Sequence, residues 1–265
     1  MLGRMITILS ISLGLMLAIH PAHSATPEKP MWPIIKEIYF EGKEIRNNAD
    51  DLIALDAPKR AEDAAIVPIT IKLLQPQTAD KYVKNLHLII DNNPEPYSAN
   101  FHLTPEISNV EIGTRVRIDQ YTDMRVIAEM NDGTMHMVSK FVKASGGCSA
   151  PAGKDAEAAL ARLGKMQIRM REPTLGEPVQ AQVIVSHPNY SGLQYDQKNR
   201  KYINAHYVEK IDIEYNDTTL FTVDTGISIS EDPSLRFTFT PAENGVLKAR
   251  VTDSQKQEFS AAKQI

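Results

Sequence analysis

The chain has 265 residues, room for two ordinary domains, and a formal charge of −4, with 29 Lys and Arg against 33 Asp and Glu. That mild acidity offers no electrostatic footprint for nucleic acid or an anionic membrane surface. A single cysteine excludes a disulfide framework, a cysteine-rich zinc module and a Cys-x-x-Cys-His haem attachment.

The first stretch reads as an export signal. Arg4 supplies a positive start, Ile6 to Ile19 is nearly unbroken apolar chain, and Ala22-His23-Ser24 offers small residues for cleavage. The apolar run is about 14 residues, short of the roughly 20 that span a bilayer. The expectation is a leader over 1–24, cleaved near Ser24, with no membrane span in the mature chain.

From Trp32 to Ile45 an amphipathic lead-in is expected, with Pro33 in a first helical turn. The signals then turn to β. Val67-Pro68-Ile69-Thr70-Ile71 alternates, and Leu86 to Ile90 does so less strictly. Arg125 to Met130 and Thr134 to Val142 flank Asn131-Asp132-Gly133, a strong hairpin signal because glycine accepts the positive φ of a tight turn. Further on, Val179 to Val185 reads as a strand. Ile211, Ile213 and Tyr215 alternate ahead of an Asn216-Asp217 turn. Leu235, Phe237 and Phe239 alternate next, and Leu247, Ala249 and Val251 follow Asn244-Gly245. Short strands at this density, each with one inward face, suggest β-sandwiches.

Between the two β-rich halves lies Ala144-Ser145-Gly146-Gly147-Cys148-Ser149-Ala150-Pro151-Ala152-Gly153-Lys154, followed by Asp155 as a cap and an alanine-rich helix ending at Gly164. Cys148 has only small neighbours, so an exposed thiol is expected. Its residues alone leave three roles open: a covalent attachment point, an intermolecular disulfide, or an incidental thiol. A free thiol has a pKa of about 8.5 and is a few per cent thiolate near neutrality. No histidine in the segment could act as its base, so it reads as a handle that other proteins activate rather than a catalytic nucleophile. An extended chain from Lys143 to Cys148 reaches at most about 17 Å.

Ala57-Pro58, Arg60-Ala61-Glu62-Asp63, Asn92-Asn93-Pro94-Glu95-Pro96, Thr114-Arg115-Val116-Arg117 and Gly146-Gly147-Cys148 occur in an order that resembles SoxY, the carrier of sulfur oxidation. His187-Pro188, Gly192, Ala205-His206-Tyr207-Val208, Asp232-Pro233 and Asp253 resemble its partner SoxZ. The resemblance implies two immunoglobulin-like sandwiches, normally separate chains, and a cysteine that carries sulfur intermediates on a mobile Gly-Gly-Cys-Gly-Gly-type tail. Cys148 matches that cysteine, while Ser149-Ala150 replaces the trailing glycines and the arm is internal. The arrangement is similar to fused SoxYZ-like carriers associated with quinoprotein dehydrogenases.

The expectation is therefore an all-β protein of two immunoglobulin-like sandwich domains joined by a Gly/Ser/Ala loop and a short helix. Residues 25–143 form the first domain with its helical lead-in, 144–165 the cysteine-bearing arm and linker, and 166–265 the second domain. Cys148 is the expected attachment point, with Gly146, Gly147, Ser149 and Gly153 giving the arm its flexibility. His87, His102, His136, His187 and His206 show no metal-ligand spacing, Asp50-Asp51 and Glu62-Asp63 read as solvated surface, and no phosphate-binding loop is present. No catalytic residue, metal or cofactor is assigned, beyond a sulfur adduct on Cys148. The resemblance implies a periplasmic, non-enzymatic carrier that serves Sox-type, quinoprotein dehydrogenase or cytochrome enzymes. Two other readings stand beside it: a non-covalent accessory module of a quinoprotein (PQQ) alcohol dehydrogenase system, and a dimer tied by a Cys148–Cys148 disulfide.

Overall fold

A helix opens the ordered part of the chain. The computed structural model describes residues 30–151 and 156–265; the expected leader, Gly153 and the expected cap Asp155 lie outside the described residues. Helix α1 (Trp32–Phe40) starts with proline in its first turn, where the missing N–H has no partner to lose. It buries Ile35 and Phe40 against Ile89, Ile127, Met135 and Met137.

The strands of the first half are β1 (Ile45–Arg46), β2 (Ile53–Asp56), β3 (Val67–Leu73), β4 (Val83–Ile90), β5 (Tyr97–Leu103), β6 (Glu111–Val116), β7 (Thr122–Met130) and β8 (Met135–Val142). A six-residue helix, α2 (Ala156–Ala161), leads into the second half. There follow β9 (Met166–Met170), β10 (Val179–Val185), β11 (Tyr195–Asp196), β12 (Lys201–Tyr202), β13 (Val208–Tyr215), β14 (Thr218–Thr225), β15 (Ser234–Phe239), β16 (Val246–Asp253) and β17 (Glu258–Gln264). The protein is all-β in its architecture.

Alternation decides which strands face one core. In β3, Val67, Ile69, Ile71 and Leu73 are buried and the residues between them are not. β4 departs from this: Leu86 to Ile90 is buried throughout, because Leu86, Leu88 and Ile90 join the main core while Ile89 lies under α1. The imperfect alternation of that segment records a second apolar layer rather than a different fold.

Two sheets make the body. One runs β1-β8-β7-β4-β5-β14-β13-β16-β17 and the other β2-β3-β6-β15-β10-β9. Each sheet crosses from one half of the chain to the other. β5 pairs antiparallel with β14 from Leu103↔Phe221 to Ala99↔Thr225, and β6 pairs with β15 at Ile112↔Phe237 and Gly113↔Arg236. The halves are thus joined edge to edge, and one apolar core of residues from Ala49 to Val251 runs beneath both junctions.

A cation–π contact, held in place by an ion pair, ties the helix to the sheet. Arg125 grips Asp91 with Nε and Nη2 at 2.7–3.0 Å, and its guanidinium lies 4.6 Å from the centre of the Trp32 ring. Fork-shaped pairing satisfies both carboxylate oxygens of a largely buried aspartate, which burial alone would push toward the neutral form.

The shared ladders make unfolding a joint event. A protease site introduced beside Gly153 should yield two fragments that co-elute on a sizing column under native conditions. Phe237, fully buried and edge-on to Phe221 at 5.2 Å, should lose about 3–5 kcal/mol on replacement by alanine, in a single denaturant transition rather than two.

Candidate functional site

The cysteine arm crosses the seam between the halves. Its near end is anchored where Lys143 N–H donates to Lys59 O and Ala61 N–H donates to Lys143 O, at 3.0 and 3.1 Å. Gly146 N–H then donates to Asp119 O at 2.7 Å and Gly147 N–H to Ile118 O at 2.9 Å. From the other half, Ser191 Oγ donates to the Cys148 carbonyl at 2.5 Å. The arm is therefore held by residues of both halves.

The expectation of an exposed thiol is overturned: Cys148 is 0% exposed. The glycines give the physical reason. A Cβ on Gly147 would lie 2.0 Å from the Ala64 carbonyl oxygen and 2.7 Å from that of Ile118, so only glycine lets the backbone come this close. Gly146 sits at φ +79°, a left-handed turn that lets the chain bend into the seam. A small-residue run, read from sequence as room for mobility, also suits close docking.

Burial pushes the Cys148 thiol up to about 12, the Asp119 carboxylate adds to the rise and Arg117 opposes it. The docked group is thus a protonated thiol at neutral pH, with little nucleophilicity. Ser149 Oγ donates weakly to Gly146 O at 3.4 Å, and Gly153 falls outside the described residues.

Arg117 lies along the same seam and is 2% exposed. Its Nη1 donates to Asn189 O at 2.8 Å and Ile229 O at 2.6 Å, both in the second half. Its own N–H donates to Ser228 O, and Asn93 Nδ2 reaches both Arg117 O and Ser228 Oγ. Asn189 itself sits at φ 47°, donates to Ile229 O and accepts from Val208 N–H. Most members bond through the main chain to partners far away in sequence, which is why sequence reading passed over Ala64 and took Asn189-Tyr190-Ser191 only for an incidental glycosylation-type triplet. Arg117 surfaced there only inside a family pattern.

A second cluster stands behind this seam. His206 Nε2 donates to Asp253 Oδ2 at 2.7 Å, and His187 Nε2 lies 3.5 Å from the same oxygen. Asp253 Oδ1 accepts from Gln255 and Gln257 N–H. Two histidines and a carboxylate so placed can hold a metal ion, but the donor chemistry here fits a hydrogen-bond network better. His187 Nδ1 accepts a hydrogen bond from Asn189 N–H at 3.0 Å, which leaves the proton of the neutral ring on Nε2, buried beside the carboxylate without a hydrogen bond to it and with no lone pair there for a metal. The network braces the turn that leads to Ser191. Residues more than forty positions apart meet here, and no local spacing announces them.

The rest of the sequence-derived polar set is structural. His87 is packed under α1, edge-on to Phe40, with Nδ1 2.5 Å from the Tyr97 hydroxyl. His102 bonds Asn85 and Asp224, and His136 accepts from Arg46 Nε. Asp51 pairs with Arg46 at the surface.

Two family models match in tandem: "Sulfur oxidation protein SoxY" over residues 36–148 and "Sulphur oxidation protein SoxZ" over residues 168–264. The chain is a fused SoxY and SoxZ protein. The SoxY match ends on Cys148. Among solved structures, the chain is similar to the sulfur carrier protein SoxY from Chlorobium limicola f thiosulfatophilum, at 22% identity and TM-score 0.36, over 43% of this chain and 91% of that one. Superoxide reductase (neelaredoxin) from Ignicoccus hospitalis is similar at 20% identity and TM-score 0.30, over 43% of this chain and 88% of that one. Fibronectin(III)-like modules of Clostridium thermocellum CbhA follow at 10% and TM-score 0.23, over 81% and 93%. No curated protein matches the chain. The SoxY-type and SoxZ-type domains thus pair within one polypeptide, as the resemblance implied. Among the described residues no helix is long and apolar enough to cross a membrane.

Two measurements follow from this geometry. Cys148 should react slowly with a thiol reagent at pH 7 in the native fold and accelerate steeply above pH 9. Gly147→Ala should raise the neutral-pH rate at least about tenfold, because the added methyl pushes the arm out of the seam. The second concerns acid. Burial, the larger cause in each, lowers His187 and His87 from about 6.5 to about 4. Between those values the unfolded chain binds more protons than the folded one, so stability should fall as pH drops from about 6.5 toward 4. His187→Gln should flatten that slope in urea titrations at a series of pH values.

Proposed function

We propose that the protein is an exported, non-enzymatic carrier that binds a sulfur-containing group covalently on Cys148 and presents it to periplasmic redox enzymes. The observation that carries this reading is that the chain's one cysteine closes the SoxY-matched segment and is clasped between the SoxY-type and SoxZ-type domains. Forming a disulfide-type bond between Sγ and a sulfur anion releases the thiol proton and two electrons. A cytochrome or a quinoprotein dehydrogenase is the class of partner that accepts such electrons. The leader-like residues 1–24 support export to the periplasm.

The docked arm is then the resting state. With its thiol protonated and enclosed, it resists stray oxidation in an oxidising compartment. Loading requires the arm to swing out, which returns the thiol to an ordinary pKa and makes thiolate available to the partner. A second reading draws on the same burial: Cys148 as a packing residue of a quinoprotein-linked accessory module.

Intact-mass measurement on protein isolated from its native compartment separates the two. The carrier reading expects mass additions of sulfur-containing groups on Cys148 and a mature chain starting after Ser24. Cys148→Ser should fold with a loss of about 1 kcal/mol or less, yet lose all loading and the dependent sulfur-oxidising activity. A Cys148→Ser strain with full activity would sink the carrier reading in favour of the accessory module.

A further inference from the structure

Arg117 is an unusual charge to find inside this seam. A guanidinium offers five N–H donors and stays protonated in proteins. Here Nη1 is used by two backbone carbonyls, neither of which carries charge, and the buried Nε–H has no acceptor. Among the described residues no carboxylate forms an ion pair with it, and Glu231 favours its charge only from a distance. Burying a cation without a counter-ion is costly, and an anion brought to it would offset that cost.

Arg117 and the thiol share the walls of one seam. The residue after Arg117, Ile118, accepts the hydrogen bond from Gly147, the residue before Cys148. On the opposite wall, Arg117 grips Asn189, two residues before the Ser191 that holds the Cys148 carbonyl. Arg117 and Cys148 are pinned to the same two strips of chain. Each favours the ionised form of the other, against the Asp119 carboxylate, which weighs more on the sulfur than Arg117 does, and beside Glu231, which also favours the charged arginine.

We propose that Arg117 is the cargo-recognition residue of the carrier, binding the anionic end of the sulfur group attached to Cys148, of the sulfonate or sulfane-anion class. The inference rests on the carrier reading and adds the residue that reads the charge of the cargo. In the unloaded arm the docked thiol is neutral and Arg117 lacks a counter-ion. A terminal sulfonate supplies three acceptor oxygens and the missing charge, suited to the guanidinium's donors. The loaded arm is then the better docked one, and the seam shelters the adduct between partners.

The test installs the adduct chemically, so it does not depend on what the cell loads. Tetrathionate reacts with the Cys148 thiolate: Sγ attacks an inner sulfur, the central S–S bond breaks, thiosulfate leaves, and the protein holds an S-thiosulfonate with a terminal anion. The thiol proton goes to solvent. Methyl methanethiosulfonate gives a neutral methylthio adduct at the same atom and releases methanesulfinate. Both products are checked by intact mass before use. In the wild-type protein the anionic adduct should melt roughly 5 °C above the neutral one. Arg117→Gln should erase that gap, and Arg117→Lys should keep part of it.

A methylthio form at least as stable as the thiosulfonate form in the wild-type protein would overturn the proposal, with no variant needed. So would an unchanged gap in Arg117→Gln. Native protein found with bare Cys148 would count against the carrier reading, while the pairing of Arg117 with the installed anion would be judged by the melting data alone.

Discussion

Everything at the site depends on two strand edges finding each other. β5 and β6 on the SoxY side, and β14 and β15 on the SoxZ side, would each expose a row of unpaired N–H and C=O groups if the halves stood apart. Each backbone hydrogen bond is worth only about 1 kcal/mol net, but a buried group left without a partner costs more than that. The ladders therefore do not merely adjoin the halves. They set their register, since a slip of one residue would turn every inward side chain outward, Phe101, Phe221 and Phe237 among them. With the register set, Asn189, Ser191 and Ile229 stand opposite Arg117 and Ile118, and the groove that receives Cys148 exists.

How much of this could be read from residues alone depends on the range of the forces involved. Alternation is a local signal, so β3, β10 and β15 were legible, as was the hairpin at Asp132-Gly133, where β7 and β8 meet. So was α1, through Pro33. Sheet order was not: the structure joins the two halves through their edges, and period-2 patterning says which face is buried and nothing about which neighbour completes an edge. Burial of Cys148 escaped for a related reason. Glycines mark a place where backbone can go unhindered. Whether that freedom becomes motion or close contact depends on Ala64 and Ile118, well upstream, and on Ser191, 43 positions downstream.

Docking and reactivity are opposed in one residue. The contacts that hold the arm, from Gly146, Gly147 and the Cys148 carbonyl, together amount to a few kcal/mol at about 1 kcal/mol each. That is enough to keep the arm mostly in the seam and little enough for a binding partner to offset with a handful of its own contacts. Because the thiol is held near 12 when docked and is ordinary when free, alkalinity above about 9 favours the free arm, since only there can the proton leave. Near neutral pH even the free thiol is only a few per cent ionised, and control passes to whatever touches the arm.

An arm tied at both ends also limits where that partner can stand. On the near side the tether is short: Lys143 is bonded to Lys59 and bridged to Arg60, five residues before Cys148. On the far side the chain returns through α2, beyond which Arg162 pairs with Asp232, Gly164 N–H donates to Ser186 O and Ser186 N–H donates to Lys165 O. At full extension the near limb places Sγ no farther than roughly 17–20 Å from the Lys143 anchor. A reacting partner must therefore bring its own centre within that radius, over the rim formed by Lys59, Arg60 and the start of the arm. It must also admit a chain that enters and leaves, which favours an open slot over a narrow blind tunnel. On the proposed carrier reading, the same fusion that keeps the SoxZ-type domain permanently at hand restricts which enzymes the thiol can reach.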